Sequence, residues 1–403
     1  MLVYAEIKDY KSLASTVIKL RPFTVLVGPN GAGKSNFIDA LKFINECLAG
    51  SVALPIQNHG GMSAVRRKSR GHPRSFGFRL GIELNTSQFA DFSFEIAPET
   101  HGTFEVKRER CIIKNAVGNE YGYEVQRGKF TREVIGIRAK IEPDRLALPV
   151  LSATEEYRPV YDYLSNMRFY SLTLDKIRGL QEADPGETLK RDGSNAAAVL
   201  REISKRDPSA YEQLCQLLSK VVPGTSRADY VQIGQQETIR FKQEVRGDSV
   251  PWAFDSISMS DGTLRVLGIL LSVFQVSSST LIAIEEPETS IHPAALDILV
   301  DILKAGVDHK TQILITTHSP DLIDNKNIKD DEILTVESIR GNTIIAPIAF
   351  IPRKMIKKHL YSPGEMLRSG ELEPDKKEAA RSSKQLNLFG YEKFNSTNRR
   401  RTI

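Results

Sequence analysis

The chain of 403 residues is 40 % hydrophobic and 26 % charged, the composition of an ordinary soluble globular protein with enough apolar material for a core. Its 55 Lys and Arg against 50 Asp and Glu leave a formal net charge of +5, which permits a nucleic-acid partner without arguing for one. Three isolated cysteines exclude an even disulfide framework and a paired metal-ligand motif, so we expect a reducing, cytoplasmic location. The longest apolar stretch falls short of the roughly 20 residues that cross a bilayer, and we expect no membrane contact.

Short strands open the chain. Strand-like runs cover Leu2–Ile7 and Ser15–Leu20, and Phe23–Val27 has the pattern of a buried strand because it is apolar, β-branched and ends at a glycine. An amphipathic helix follows, and then residues 50–75 lose all periodicity, which indicates a loop with a basic run at Arg66–Arg70. Alternating apolar residues beyond this loop predict an antiparallel meander with strands at Phe76–Leu84, Phe92–Ile96, Thr103–Lys114 and Tyr121–Val125.

The second half of the chain mixes helices and strands. From about Thr154 to Val221 the pattern turns helical, without the sustained heptads of a long coiled coil. The tail from about Glu371 is polar and charged, and we expect it to be poorly ordered. Further strand-like runs lie at Tyr230–Ile233, Thr238–Val245, Ile333–Val336 and Thr343–Ile348.

A glycine-rich loop follows the strand Phe23–Val27 and opens a helix. Its sequence, Gly28-Pro29-Asn30-Gly31-Ala32-Gly33-Lys34-Ser35, fits the phosphate-loop pattern in the strand–loop–helix context that confirms it, which disfavours a glycine-rich turn that binds nothing. Glycines let several N–H groups point at one phosphate, Lys34 reaches the β- and γ-phosphates, and Ser35 offers its hydroxyl to Mg²⁺. The predicted nucleotide-binding residues here are Gly28, Asn30, Gly31, Gly33, Lys34, Ser35 and Asn36.

Two glutamates end a second buried strand at Thr280–Glu288. The carboxyl end of a strand in an open α/β sheet is where such sheets bind ligands. We expect Glu285 to hold Mg²⁺, directly or through water, and Glu286 to orient and deprotonate the attacking water. A strand that ends in solvated glutamates is the alternative, and the phosphate loop in the same chain disfavours it.

Two further motifs complete the set. The buried strand at Gln312–Pro320 ends in His318, which we expect to sense or stabilise the γ-phosphate, although a lone histidine at a strand end is more often structural. Ser258–Thr263 precedes an apolar helix and offers Ser260 and Gly262 as an anion site at a helix start. Plain N-capping is the more common role of such a serine.

The four motifs together resemble the ATPase heads of the ABC superfamily, in the RecF/SMC/OLD-like branch of AAA_21-type ATPases. In that resemblance Gly28–Ser35 is Walker A, Met259–Thr263 the signature, Ile284–Glu288 Walker B and Thr316–Pro320 the switch histidine. The resemblance implies an α/β fold of the P-loop NTPase class, with a mixed, largely parallel sheet flanked by helices, an antiparallel β meander and an inserted helical lobe. It further implies Mg²⁺-dependent ATP hydrolysis by an ATP-dependent, head-to-tail homodimer in which Ser260 and Gly262 complete the partner's site.

The resemblance also suggests a division of the chain, and the chain departs from the family pattern in its Mg²⁺-side acid and in the lack of a long coiled-coil insertion. Residues 1–350 would form the ATPase domain, with a Walker A lobe at 1–150, a helical lobe at about 154–221 and the remaining motifs at 222–350, before a charged extension at 351–403. The Mg²⁺-side acid is usually Asp, whereas here it is Glu285. The glutamine of the loop that normally follows the first helix has no clear counterpart, and Gln57 is a weak candidate.

Several functions remain open. An ATP-switched protein that acts on DNA, in repair or in anti-phage defence, is supported by the resemblance and by the basic loop Arg66–Arg74, whose alternative is a solvated surface run. An ATPase that regulates a separate effector, such as a nuclease, without binding DNA is the second possibility. A nuclease within the chain is disfavoured because only Asp330-Asp331-Glu332 approaches a metal-binding cluster after Pro320. A non-catalytic sensor and a transport ATPase are disfavoured too.

Overall fold

The computed structural model describes residues 1–69, 73–99, 103–132, 140–307, 311–385 and 387–389. Within these ranges the strands are β1 Leu2–Tyr10, β2 Leu13–Lys19, β3 Phe23–Val27, β4 Phe76–Asn85, β5 Gln88–Pro98, β6 Phe104–Asn115, β7 Glu120–Gln126, β8 Lys129–Arg132, β9 Met167–Tyr170, β10 Gln181–Glu182, β11 Thr225–Ile233, β12 Gln236–Gln243, β13 Trp252–Asp255, β14 Leu281–Glu285, β15 Gln312–Thr317, β16 Ile333–Ile339 and β17 Asn342–Pro347. The helices are α1 Lys34–Cys47, α2 Ala53–Asn58, α3 Met62–Val65, α4 Leu148–Leu151, α5 Arg158–Ser165, α6 Leu174–Arg178, α7 Ala196–Arg206, α8 Pro208–Val221, α9 Asp261–Phe274, α10 Leu296–Ala305, α11 Pro320–Ile323, α12 Phe350–Lys357, α13 Pro363–Ser369 and α14 Lys376–Gln385.

A six-stranded sheet forms the centre of the fold and confirms the predicted mixed α/β class. Its order is β17-β16-β3-β15-β14-β9, and every pairing is parallel except that of β17 with β16. In register, Val27 of β3 lies beside Thr317 of β15, and Thr316 lies beside Glu285 of β14. Because parallel strands end at the same edge, the phosphate loop, the two glutamates and the switch histidine all leave the sheet together.

The central sheet separates two apolar cores. Side chains alternate between the faces of a strand, so that Leu26 of β3 joins one core while Val25 and Val27 join the other. The first core packs α1 against a seven-stranded antiparallel sheet in the order β2-β1-β4-β5-β6-β7-β8, in which β4 to β7 are the predicted meander. The second core packs α7, α8, α9 and α10 with the small sheet of β10, β11, β12 and β13.

The region predicted as a helical lobe at about 154–221 is not helical throughout. Residues Met167–Tyr170 form β9, which pairs in parallel with β14 and is the edge strand on that side of the central sheet. With only four residues and Arg168 among them, this strand lacks the long apolar run that would distinguish it in sequence. The loop predicted at 50–75 likewise contains the short helices α2 and α3.

The C-terminal extension corrects a second expectation, since a large part of the tail from Glu371 is structured. Helix α14 packs against β2 and β17, and Leu388 is buried against Gly77 of β4. Arg79 donates to the carbonyl oxygen of Asn387, and Arg110 donates to that of Phe389. The order of this tail could not be predicted from its polar composition, because the groups that stabilise it belong to a sheet formed by a distant part of the chain. Residues 390–403 lie outside the described ranges.

Helix length bears on two expectations. In the described ranges no helix exceeds 14 residues, in keeping with the expected lack of a long coiled-coil arm. None of the helices in this described part has the length and apolar character needed to span a lipid bilayer.

Candidate functional site

Close packing of backbone explains two glycines of the phosphate loop. A Cβ at Gly28 would lie 2.2 Å from the carbonyl oxygen of Val336, a distance that no side chain tolerates. Gly33 has φ 105° and a Cβ there would lie 1.9 Å from the hydroxyl of Thr343. The absence of a Cβ at both positions therefore lets the loop lie close against β16 and β17.

Lys34 lies at the centre of the loop. Its side chain is 5 % exposed, and its ammonium group donates to the carbonyl oxygens of Gly28, at 2.7 Å, and Pro29, at 3.1 Å. Burial lowers the pKa of Lys34, and the nearby carboxylates of Glu286 and Glu288 oppose that effect. The charge is thus held beside the loop by weak acceptors, which phosphate oxygens can replace with stronger, charge-assisted bonds.

Ser35 and Glu285 line one cavity of about 340 Å³. A hydroxyl and a carboxylate are hard oxygen ligands of the kind Mg²⁺ accepts, and Mg²⁺ commonly binds one or two protein groups together with water and substrate phosphates. The same cavity is lined by Lys11, Asn36 and Arg191, and the Arg191 guanidinium lies 3.9 Å from a carboxylate oxygen of Glu285. These residues therefore fit the predicted metal position.

Asn36, predicted as a nucleotide-binding residue, also has a structural role. Its amide nitrogen donates to the hydroxyl of Ser12 at 2.7 Å, and so fixes the β1–β2 turn beside the start of α1. Lys11 and Arg191 also line this cavity, and they could not be predicted from the sequence because neither belongs to a recognisable motif. Gln57 lies exposed on α2 and does not line the cavity, whereas Ser171, just after β9, does.

Glu286 and His318, which the sequence analysis placed separately at two strand ends, lie next to each other in the structure. The Nδ1 atom of His318 lies 3.2 Å from a carboxylate oxygen of Glu286. Glu286 has φ 45°, a left-handed conformation that costs free energy for a residue with a Cβ. Its backbone N–H donates to the carbonyl oxygen and hydroxyl of Thr316, which holds this conformation. Strained backbone of this kind is concentrated at functional sites.

Glu288 is a site residue that the sequence analysis left without a role. It is 8 % exposed, and one oxygen accepts from the Thr317 hydroxyl at 2.6 Å and from the His318 backbone N–H at 3.4 Å. This carboxylate therefore fixes the end of β15 and the position of His318. In the sequence it is indicated only as the last residue of the motif Glu-Glu-Pro-Glu, two residues after Glu286.

The signature residues lie at the start of α9. Ser260 is the N-cap, and its hydroxyl accepts from the backbone N–H of Thr263 at 3.3 Å. A Cβ at Gly262 would lie 2.7 Å from the carbonyl oxygen of Ser290, so this glycine permits close packing against the segment after Glu288. Neither Ser260 nor Gly262 lines the cavities beside the phosphate loop that we describe.

A second cavity, of about 440 Å³, borders the other side of the phosphate loop. Gly28, Asn30 and His318 line one wall of it. The opposite wall comes from the C-terminal extension and includes Leu367 and Leu372. Sequence reasoning missed this wall, because nothing in the polar extension indicates that it returns to the nucleotide site.

Three adjacent parallel strands thus carry a phosphate loop, a pair of glutamates and a histidine, with a capped signature helix nearby. This arrangement defines the class: the chain is a nucleotide-binding ATP hydrolase with the fold of an ABC-type head of the RecF/SMC/OLD branch, as the sequence predicted. It belongs to the family described as "AAA domain, putative AbiEii toxin, Type IV TA system", whose profile matches residues 23–324.

Known relatives agree with this assignment. The chain is 23 % identical over 359 residues to the Old nuclease of Escherichia phage P2, covering 81 % of this chain and 58 % of that protein. It is 21 % identical over 337 residues to the OLD nuclease of Thermus scotoductus, covering 79 % and 59 %. The chain therefore spans less than two thirds of either relative. The solved SmcHead bound to the C-winged helix domain of ScpA shares the fold, with a TM-score of 0.54, 13 % identity, and coverage of 87 % of this chain and 99 % of that one.

Proposed function

We propose that the chain is the Mg²⁺-dependent ATPase of a head-to-tail homodimer that acts on DNA, in repair or in defence against foreign DNA. The observation that carries the catalytic part is the Glu286–His318 pair, at 3.2 Å, at the ends of the adjacent strands β14 and β15, of which β15 pairs with the phosphate-loop strand β3. In this proposal residues 1–350 are the ATPase domain and 351–403 its extension.

Each side chain has a role in hydrolysis. Lys34 moves from the loop carbonyls to the β- and γ-phosphates, and Ser35 with Glu285 holds Mg²⁺, which neutralises phosphate charge when bound. Glu286 accepts a proton from the attacking water and orients it towards the γ-phosphate. His318, held by Glu288 through its backbone N–H, donates to the charge that develops on the γ-phosphate oxygens.

The second copy supplies the signature. Ser260 and Gly262 lie at the N-terminus of a 14-residue helix, where backbone N–H groups and the helix dipole favour an anion. In the proposed dimer these residues approach the γ-phosphate bound by the partner, so that ATP stabilises the dimer and hydrolysis releases it.

The proposal that the protein acts on DNA is supported by its relatives and by a positively charged loop. Both curated relatives are named nucleases. The basic loop at Arg66–Arg74 offers phosphate-binding cations, although Arg67 is engaged with Asp9 and Asn342, and residues 70–72 lie outside the described ranges. The second candidate is an ATPase that controls a separate effector without binding DNA.

The acidic run at 330–332 forms ion pairs with basic side chains, so we propose no metal-dependent nuclease site at these three residues. Asp330 pairs with Arg353, Asp331 with Arg21, and Glu332 with Lys304. Throughout the described ranges no group of three or more His, Cys, Asp or Glu side chains could hold a metal ion.

The ATPase rate over a range of protein concentrations, with and without double-stranded DNA, tests this proposal. Specific activity that rises with protein concentration and again with DNA supports the dimer and the DNA-directed role. A rate that depends on concentration but not on DNA favours the effector-control alternative. A rate independent of concentration contradicts the shared site.

Variants separate binding from chemistry. Glu286→Gln should abolish turnover and retain ATP binding, whereas Lys34→Ala should lose binding. Glu155→Gln is a matched control, since this exposed glutamate lies outside the site. Retained turnover in Glu286→Gln would remove Glu286 from its catalytic role, and unchanged nucleotide affinity in Lys34→Ala would refute the phosphate-loop assignment.

A further inference from the structure

Large apolar side chains lie exposed immediately before the signature motif. Ile257 is 67 % exposed and Trp252 is 52 % exposed, although both belong to the ordered segment that leads from β13 into Ser260. Single exposed apolar residues are common on protein surfaces, but here two lie within eight residues of a helix start proposed to bind a partner. A ring contact between Trp252 and Phe254, with centroids 6.4 Å apart, adds to the apolar character of this segment.

A cavity with an apolar wall lies beside the phosphate loop. It is the cavity of about 440 Å³ that Gly28, Asn30 and His318 share with the C-terminal extension. The extension contributes Leu367, Leu372 and Pro374 to the lining, and Val336 of β16 adds to it.

The apolar wall is held in place by the main sheet. The backbone N–H of Ala349 donates to the carbonyl oxygen of Glu373 at 2.9 Å, and that of Asp375 donates to the carbonyl oxygen of Pro347 at 2.9 Å. Lys376 adds an ion pair to Glu337 at 2.9 Å. The wall is therefore a fixed feature of this chain, and it lies beyond residue 324, outside the part matched by the family profile.

We propose that, in the nucleotide-bound dimer, Ile257 of one copy docks into this cavity of the second copy. The inference rests on the proposed head-to-tail dimer and adds to it a contact that the C-terminal extension supplies. By the two-fold symmetry of such a dimer the contact occurs twice, once at each nucleotide.

Chain geometry identifies the second copy as the occupant. Ile257 precedes Ser260 by three residues, and three residues span at most about 10 Å of chain. When Ser260 reaches a phosphate on the partner's loop, Ile257 must lie within that distance of the loop. Gly28 and Asn30 of the loop line the cavity, so its apolar lining lies within reach of Ile257. Docking removes Ile257 from water, which favours association.

Sedimentation equilibrium of Glu286→Gln with ATP and Mg²⁺ tests the contact, because this background is expected to retain ATP. Adding Ile257→Ser removes two buried isoleucines per dimer, and we expect the dimer Kd to rise by about tenfold to a hundredfold. Val117→Ser is the matched control: Val117 is exposed on the β6–β7 turn and should leave the Kd unchanged.

Cross-linking provides a second, direct measurement. The native cysteines, Cys47, Cys111 and Cys215, are buried, so a chain carrying Ile257→Cys and Leu367→Cys presents two new thiols to a short bis-maleimide. We expect a covalent dimer with ATP and none without it, and none when Val117→Cys replaces Ile257→Cys.

The outcomes distinguish a failure of the Ile257 contact from a failure of the proposed head-to-tail dimer. A dimer that Ile257→Ser does not weaken, or that forms with ATP but gives no cross-link, overturns the docking contact and leaves the head-to-tail dimer intact. Absence of any ATP-dependent dimer in Glu286→Gln overturns both. Weakening by Ile257→Ser together with an ATP-dependent cross-link supports the contact.

Discussion

Replacement of Gly33 by alanine should destabilise the whole protein, independently of any effect on nucleotide. Gly33 has φ 105°, and a Cβ there would lie 1.9 Å from the Thr343 hydroxyl and 2.8 Å from its methyl group. Thr343 is buried and its hydroxyl oxygen lies 2.9 Å from the carbonyl oxygen of Ala32 and 2.6 Å from the hydroxyl of Ser12. The new methyl group must therefore displace Thr343 and disrupt both hydrogen bonds.

The magnitude follows from these losses. A non-glycine residue in a left-handed conformation costs roughly 1–2 kcal/mol, and each lost hydrogen bond costs about 1 kcal/mol. We expect Gly33→Ala to lower the free energy of unfolding by about 3–4 kcal/mol. With an unfolding entropy of about 2.1 cal/mol/K per residue over 403 residues, the Tm should fall by about 4 °C.

Differential scanning calorimetry without nucleotide measures this change, and a double-mutant cycle identifies its cause. Thr343→Ala alone loses the same hydrogen bonds, so its effect and that of Gly33→Ala should overlap by about 2 kcal/mol in the double variant. Strict additivity would show that Thr343 is not the colliding group, and an unchanged Tm for Gly33→Ala would refute the packing argument altogether.

Two further predictions concern regions outside the nucleotide site. His59 bonds to Asp39 and Glu46, which raises its pKa above the ordinary value of 6.5. Its stabilising effect is complete below that value and is lost as pH rises through the folded-state pKa, so His59→Ala should lower the Tm more at about pH 6 than at about pH 9; a pH-independent loss would contradict this. Leu388→Ala should reduce the free energy of unfolding by about 2–4 kcal/mol because Leu388 is buried against Gly77, and urea unfolding that matches the unaltered chain would show that the extension does not dock.

Local chemistry made much of the site predictable. The strands β3, β14 and β15 are short apolar runs that end in glycine or in charged and polar residues, so their positions and ends are visible in the sequence. The phosphate loop is a contiguous pattern, and its glycines are required by the local backbone conformation. Glu286 and His318 each come directly after the last residue of a strand. These residues can therefore be predicted from the sequence without knowledge of their neighbours in the folded structure.

The parts that were missed depend on contacts between residues far apart in the chain. The strand β9 is too short for its pattern to stand out, and it is stabilised by pairing with β14, more than 100 residues later. Arg191 lies beside Glu285, at the proposed metal position, only because its loop folds back beside β14. The extension forms a wall of the site because its backbone bonds to the end of β17, and composition alone gives no sign of that.

Short sequence patterns predict which residues carry phosphate, metal and proton-transfer chemistry, because those patterns are set by bond geometry over a few consecutive residues. The order of the strands in the sheet depends on the tertiary fold, which places β15 between β3 and β14 and so brings His318 to 3.2 Å from Glu286. The tertiary fold also decides that Glu288 is buried under His318 and that Leu372 borders the phosphate loop. These placements follow from how sheets and helices share two apolar cores, a property of the whole chain that no short window of sequence contains.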